Sequence, residues 1–136
     1  MKRTYVDSGV LIAAARNRGN LTERALRVLA DTSQREFVYS DYVKLEVIPK
    51  ATYENRQPEI AFYEEFFASV SLWLAFDIEH LHMALLEACR SGLEAMDALH
   101  VVAAASGKCD EMITTEKPGR PIHRTKLVAV LSIDTD

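Results

Sequence analysis

The chain is poor in cysteine, glycine and proline, has no long apolar run and carries no surplus of positive charge. Its 136 residues include two Cys, five Gly and four Pro. Cys89 and Cys109 form no C-x-x-C pair and are too few for a disulfide framework, so a reduced, cytoplasmic chain is expected. Glycine and proline never cluster into a linker, and no repeat or low-complexity tract appears. One domain over residues 1–136 is therefore the expectation. The longest apolar run, Val10 to Ala15, has six residues; a membrane-spanning helix needs about 20. Lys2 and Arg3 ahead of that run imitate a leader, but Asp7 interrupts the apolar stretch and argues against a signal peptide. Sixteen basic residues against twenty acidic ones give −4. Taken at face value, that balance speaks against a protein that coats nucleic acid.

What is present is enough apolar residue for one core: 49% of the chain is hydrophobic and 26% charged. Short β-prone runs alternate with helical patterns. Strands are expected at Arg3–Val6, Glu36–Tyr39, Ser71–Phe76, Met112–Thr115 and Leu127–Ile133, the last the most apolar. Strands this short and apolar suit a sheet covered on both faces. Between them, Leu21, Ala25, Val28 and Leu29 recur at helix spacing, with Thr22 as N-cap. Ile60, Tyr63, Phe67 and Val70 mark a second helix with Pro58 in its first position. Ile78, Leu81, Leu85, Ala88 and Cys89 form the clearest stripe, entered at Asp77 and left at Gly92. Met96, Leu99, Val102, Ala103 and Ser106 form another, stopping at Gly107. Such alternation predicts an α/β sandwich with a mainly parallel sheet.

Four acids stand at the ends of these elements. Asp7 follows the first strand, where parallel sheets gather ligands, although an N-cap role explains it equally well. Ser40 ends the second strand as a cap, and Glu46 lies in the next helix among Leu45, Val47 and Ile48. Asp97 opens a helix that is otherwise almost wholly apolar; a first-turn acid answering the helix dipole is the plainer account. Glu116 follows the fourth strand. Clustered carboxylates raise one another's pKa, and a cation resolves the repulsion. Oxygen ligands favour Mg²⁺ or Mn²⁺ over zinc, and the histidines offer no zinc spacing, since His80 and His82 point to different helix faces. A metal held this way supports phosphodiester hydrolysis.

Tyr5-Val6-Asp7-Ser8-Gly9-Val10-Leu11-Ile12, Ser40 with Glu46, Asp97-Ala98-Leu99-His100 with Ala103-Ala104, and Thr114-Thr115-Glu116 together resemble the PIN-domain nucleases, and more narrowly the small VapC-type toxins of toxin–antitoxin modules. The resemblance implies a three-layer sandwich with a central parallel sheet of about five strands. It implies that Asp7, Glu46 and Asp97 are the principal metal ligands, with Glu116 at a fourth acidic position more often Asp. Ser8 and Thr114 would orient carboxylates or water. His100 matches a position often occupied by His, where packing or a supporting hydrogen bond is expected. The implied activity is metal-dependent endoribonuclease cleavage of RNA, with Arg16, Arg18, Lys117 and Arg120 available to hold the backbone. A small antitoxin and a second copy of the chain are the implied protein partners. Phe62, Tyr63, Phe66 and Phe67, dense enough to wrap more than one helix face, suit such contacts. A PIN-like scaffold without activity and a non-toxin housekeeping nuclease remain open. A receiver domain needs an acidic pair after the first strand, and a haloacid-dehalogenase phosphatase needs Asp-x-Asp there; position 9 is Gly. With the four site acids set aside, 16 basic residues face 16 acidic ones, so the negative balance is compatible with RNA approached through a cation.

Overall fold

The computed structural model describes residues 1–70 and 72–135. Five strands form one sheet in the order β3-β2-β1-β4-β5, every neighbouring pair parallel. These are β1 (Lys2–Val6), β2 (Arg35–Ser40), β3 (Leu72–Leu74), β4 (Glu111–Thr114) and β5 (Ala129–Ser132). The helices are α1 (Ser8–Ala15), α2 (Asn20–Leu29), α3 (Asp41–Tyr53), α4 (Gln57–Ser69), α5 (Ile78–Ser91) and α6 (Ala95–Ser106), with a 3-10 turn at Pro121–Arg124.

Alternation along the strands assigns the faces. Phe37 and Tyr39 meet Phe66 and Phe67 of α4 on one side, while the Tyr5 ring meets His100 of α6 on the other. The sheet is thus the middle of three layers. Val10, Leu11, Val38, Val101 and Ile113 are essentially inaccessible, each contributing about 1.5–3 kcal/mol through burial. The central strands are buried on both faces and mostly apolar, with Glu111 of β4 accepting from Thr4 and Arg35. The edge strands are not: β3 is trimmed to three residues and β5 alternates between half-buried and exposed. The apolar span Leu127–Ile133 and the span beginning at Ser71 therefore exceed the strands observed, and Ser71 itself lies outside the described residues, as does Asp136 of the tail.

Several helix ends differ from their sequence signals. α2 begins at Asn20 after Gly19, whose φ of 62° starts the turn, so Thr22 is not the cap. Its hydroxyl instead reaches the Ala13 and Arg16 carbonyls and accepts from Arg18 N–H, fastening the α1–α2 corner. Pro58 takes the second position of α4, behind Gln57. Asp77 caps α5 by accepting from Glu79 N–H, and Gly92 ends it in the left-handed region. After α6 the left-handed residue is Lys108 rather than Gly107. Gly107 has a different reason to be small: a Cβ there would stand 2.8 Å from the Leu74 side chain.

The largest departure is α5. Its core-facing side is His80, Ala84 and Glu87, and the apolar stripe faces outward. Ile78 is 53% exposed, Leu81 53%, Leu85 66% and Leu86 62%. The buried polar groups are satisfied by distant elements. His80 Nδ1 lies 2.7 Å from the Tyr42 hydroxyl, and Glu87 accepts from Thr125, Ser91 and Arg90.

Candidate metal centre

β1, α3, α6 and the end of β4 deliver their acids to the carboxyl end of the sheet. Asp7 follows β1 directly, its N–H bonded to the Ile113 carbonyl of β4. It occupies the N-cap position of α1, yet its side chain makes no cap hydrogen bond. The carboxylate turns instead to Thr114, whose hydroxyl donates to Oδ2 at 2.8 Å, and to Ser8 at 3.4 Å. The geometry thus excludes side-chain capping of α1 as the role of Asp7.

The Asp7-Ser8-Gly9 turn fits only because position 9 lacks a side chain. A Cβ on Gly9 would sit 2.4 Å from Thr115 Oγ1, so the start of α1 and the chain leaving β4 touch here. Thr114 joins the two segments chemically as well, accepting from Glu116 N–H at 3.1 Å while donating to Asp7.

Glu46 enters from the second turn of α3, beyond the Ser40 cap, which accepts from Val43 N–H. Ser8 donates to Glu46 Oε1 at 2.6 Å, and His100 Nε2–H donates to the same oxygen. On its other side His100 Nδ1 lies 2.7 Å from the Tyr5 hydroxyl, itself 2.6 Å from Ser40 Oγ. Ser40, Tyr5, His100 and Glu46 therefore form a continuous polar line through the α6-facing layer. Burial acts to hold the His100 pKa down, but the hydrogen bond to Glu46 and the charges of Asp7, Glu46 and Asp97 prevail and raise it. Burial pushes Glu46 up, and its hydrogen bonds to His100 and Ser8 outweigh that, lowering its pKa.

Asp97, in the first turn of α6, differs from the other acids. It makes no hydrogen bond or ion pair to any described residue. Burial, then the charges of Asp7 and Glu116, push its pKa up to about 6. It lines a concavity of about 150 Å³ with Glu94, Glu116, Arg120 and Ile122. Glu116 is 41% exposed and lies 3.4 Å from Arg120.

The structure thus brings Asp7, Glu46, Asp97 and Glu116 to one end of the sheet. One ligand atom each from Asp7, Glu46 and His100 lie within 4.8 Å of one another. Neither Lys nor Arg touches Asp7, Glu46 or Asp97 among the described residues. Asp97 and Glu116 stand outside that close group, so a divalent cation fits most directly between Asp7 and Glu46, with Asp97 facing it as a carboxylate that has no hydrogen-bond partner. The Ser40–Tyr5–His100 line was not apparent from sequence; the three-residue spacing of Asp97 and His100 in Asp97-Ala98-Leu99-His100 is its only local sign. Of the basic residues proposed beside the site, Arg16 is occupied elsewhere. It forms a two-pronged ion pair with buried Glu59, at 3.0 and 3.2 Å, binding α1 to α4. Arg18, Lys117 and Arg120 are exposed.

A three-layer α/β sandwich with carboxylates gathered at the strand ends defines the class. Residues 4–117 match the PIN domain family, and the chain belongs to it. No curated protein matches the chain. Its backbone is similar to that of solved structures. A chain of VapBC2 from Rickettsia felis, bound to a DNA fragment from its promoter, has a TM-score of 0.72 at 12% identity, covering 96% of this chain and 98% of that one. A chain of DNA-bound VapBC from Salmonella typhimurium scores 0.72 at 17% identity, covering 98% and 99%. VapC20 from Mycobacterium tuberculosis, a sarcin–ricin-loop-cleaving toxin, scores 0.64 at 15% identity, covering 87% and 92%. At such identities the likeness establishes fold.

Proposed function

We propose that this chain, as a single PIN-like domain over residues 1–136, is an Mg²⁺- or Mn²⁺-dependent endoribonuclease and the toxin of a toxin–antitoxin pair. The observation that carries the reading is Asp97: a carboxylate with no hydrogen-bond partner in a small concavity, its pKa pushed up by burial and then by Asp7 and Glu116. Asp7, Glu46, Asp97 and Glu116 would hold the cation. When bound, such an ion lowers the pKa of its water and offsets charge on the scissile phosphate. Thr114 and Ser8 fix the direction of the Asp7 carboxylate. His100 holds Glu46, and Arg18, Lys117 and Arg120 stand as backbone contacts. The sarcin–ricin-loop-cleaving activity of VapC20 supports RNA as the substrate class.

The VapBC relatives support a small antitoxin as partner. A groove between α2 and α4, lined by Leu26, Leu29, Phe62 and Phe66, offers about 310 Å³ of largely apolar space for it. The outward stripe of α5 supports a homodimer. No helix among the described residues is long and apolar enough to cross a membrane, and a cytoplasmic setting completes the reading.

Incubation of purified protein with structured RNAs, with and without Mg²⁺ or Mn²⁺, tests the activity. Cleavage is expected in wild type with metal and absent in Asp97→Asn. Cleavage that persists in the variant, or in excess chelator, overturns the assignment. Co-purification with a short protein encoded beside this gene tests the toxin role; a lone gene favours a housekeeping nuclease.

A further inference from the structure

Beside the acid concavity lies a second one of about 380 Å³, lined by Arg90, Ser91, Gly92, Arg124 and Lys126. The two have no lining residue in common but are built from the same two segments. One wall is the α5–α6 turn, where Gly92 faces the basic concavity and Glu94 the acidic one. The other is the 3-10 helix, with Arg124 on the basic side and Ile122 on the acidic side. Three cations are gathered there, and like charges brought together repel unless something holds them.

Of the three, only Arg90 is paired with a carboxylate, that of Glu87, 1% exposed on the inner face of α5. Its carboxylate accepts from Thr125 at 2.6 Å, Ser91 at 2.9 Å and Arg90 at 3.1 Å. This pins the end of α5 to the segment after the 3-10 helix. Burying a carboxylate costs more than burying an apolar side chain of the same size. Through Arg90 and Thr125 it joins the two segments that carry Arg90, Arg124 and Lys126. Arg90 remains 64% exposed while paired. Arg124 reaches only the Ser91 carbonyl, at 3.4 Å, and Lys126 contacts no described polar group. Gly92 keeps the hollow open, since a Cβ there would stand 3.0 Å from the Arg124 guanidinium.

From this arrangement we infer that the Arg90–Arg124–Lys126 hollow is a phosphate track, holding the RNA backbone next to the scissile bond. No aromatic side chain lines it, so it offers no platform for base stacking and takes phosphates without regard to sequence. The strand then runs along the α5–α6 turn and the 3-10 helix into the acid concavity. This track rests on the nuclease reading above and adds to it residues that no local motif marks.

The test is fluorescence anisotropy with a labelled single-stranded RNA over a KCl series, using full-length Asp97→Asn as the non-cleaving parent. Arg124→Ala/Lys126→Ala in that parent is expected to weaken binding several-fold. It should flatten the slope of log Kd against log[KCl] by about 1.4, roughly 0.7 for each phosphate that is no longer neutralised. Lys126→Glu, at a position without a polar partner, weakens binding with no loss of thermal stability. Arg27→Ala/Lys108→Asn, the same charge change on α2 and beyond the far end of α6, leaves Kd and slope unchanged. A double variant that matches its parent, or an equal loss in the control pair, overturns the track while leaving the nuclease reading in place. If the parent binds no RNA and wild type cleaves none, both fail together.

Discussion

His100 and Glu46 are joined by a hydrogen bond beneath the acid cluster, imidazole Nε2 to carboxylate Oε1, although 54 residues separate them in the chain. His100 is 1% exposed, so the pair is formed largely out of water on the imidazole side. Its raised pKa gives this pair a pH sign: the protonated imidazole favours the folded state. The stabilisation is complete below the unfolded value of about 6.5 and is lost as pH climbs through the higher folded value. His100→Gln is therefore expected to cost about 1–3 kcal/mol at pH 6, with the gap to wild type narrowing by pH 9. Urea denaturation of both proteins across that range measures it. A gap that stays constant means that no charge is involved and refutes the pairing.

Asp97 has the opposite character, a carboxylate the fold disfavours in its charged form. Its pKa rises from 3.8 unfolded to about 6 folded. Its protonation thus stabilises the fold fully below pH 4, and this contribution drains away as pH rises toward 6. Metal-free Asp97→Asn should consequently melt above wild type at pH 8 and level with it at pH 4. Added Mn²⁺ narrows that gap at pH 8. At 100 times the dissociation constant, wild type gains about 2.7 kcal/mol and the variant gains less. Equal melting temperatures at pH 8, with and without Mn²⁺, would falsify the metal site.

Sequence and structure agree at the ends of elements and part on the long-range contacts. Asp7, Asp97 and Glu116 were visible as candidates because each stands at an element end, and Glu46 because it is an acid inside an apolar run of α3. β1, β2 and β4 were legible because central strands are buried on both faces and mostly apolar. Their edge neighbours β3 and β5 lose one partner each and shrink below their apolar runs. α5 was legible as a helix but not in orientation. Its direction depends on Tyr42 reaching His80 and Thr125 reaching Glu87, each pair 38 residues apart. A long-range hydrogen bond can outweigh an apolar stripe, because an unpaired buried carboxylate costs more than an exposed leucine. Arg16 follows the same logic: its fate was set by Glu59, 43 residues away.

Gly9 and Thr115 yield a prediction about coupling rather than charge. With a Cβ only 2.4 Å from Thr115 Oγ1, Gly9→Ala forces the segment bearing Thr114 and Glu116 away from Asp7. The expected cost is about 1–3 kcal/mol, with loss of metal-dependent activity. Thr115→Ala alone removes only the obstructing atoms and has a small effect. The double variant recovers most of the loss, so the cycle is strongly non-additive. Thermal denaturation and RNA cleavage of the four proteins read it out. Additive costs mean that the Gly9 requirement lies in its backbone and not in this contact.

The outward stripe of α5 sets the last expectation. Leu81 and Leu85 are more than half exposed, so replacing them disturbs little inside one copy; surface changes of this kind stay within about 0.5 kcal/mol. In a dimer packed through α5 the same positions are covered, and a charge there is taken out of water without a partner. Leu81→Glu/Leu85→Glu is therefore expected to elute with the mass of one 15.3 kDa chain while wild type elutes at twice that mass. Light scattering after gel filtration separates the two. The melting temperature of the variant should fall and should lose its dependence on protein concentration, because dimerisation stabilises by mass action. A variant that remains dimeric places the interface elsewhere, and the α2–α4 groove with Phe62 and Phe66 becomes the face to substitute next.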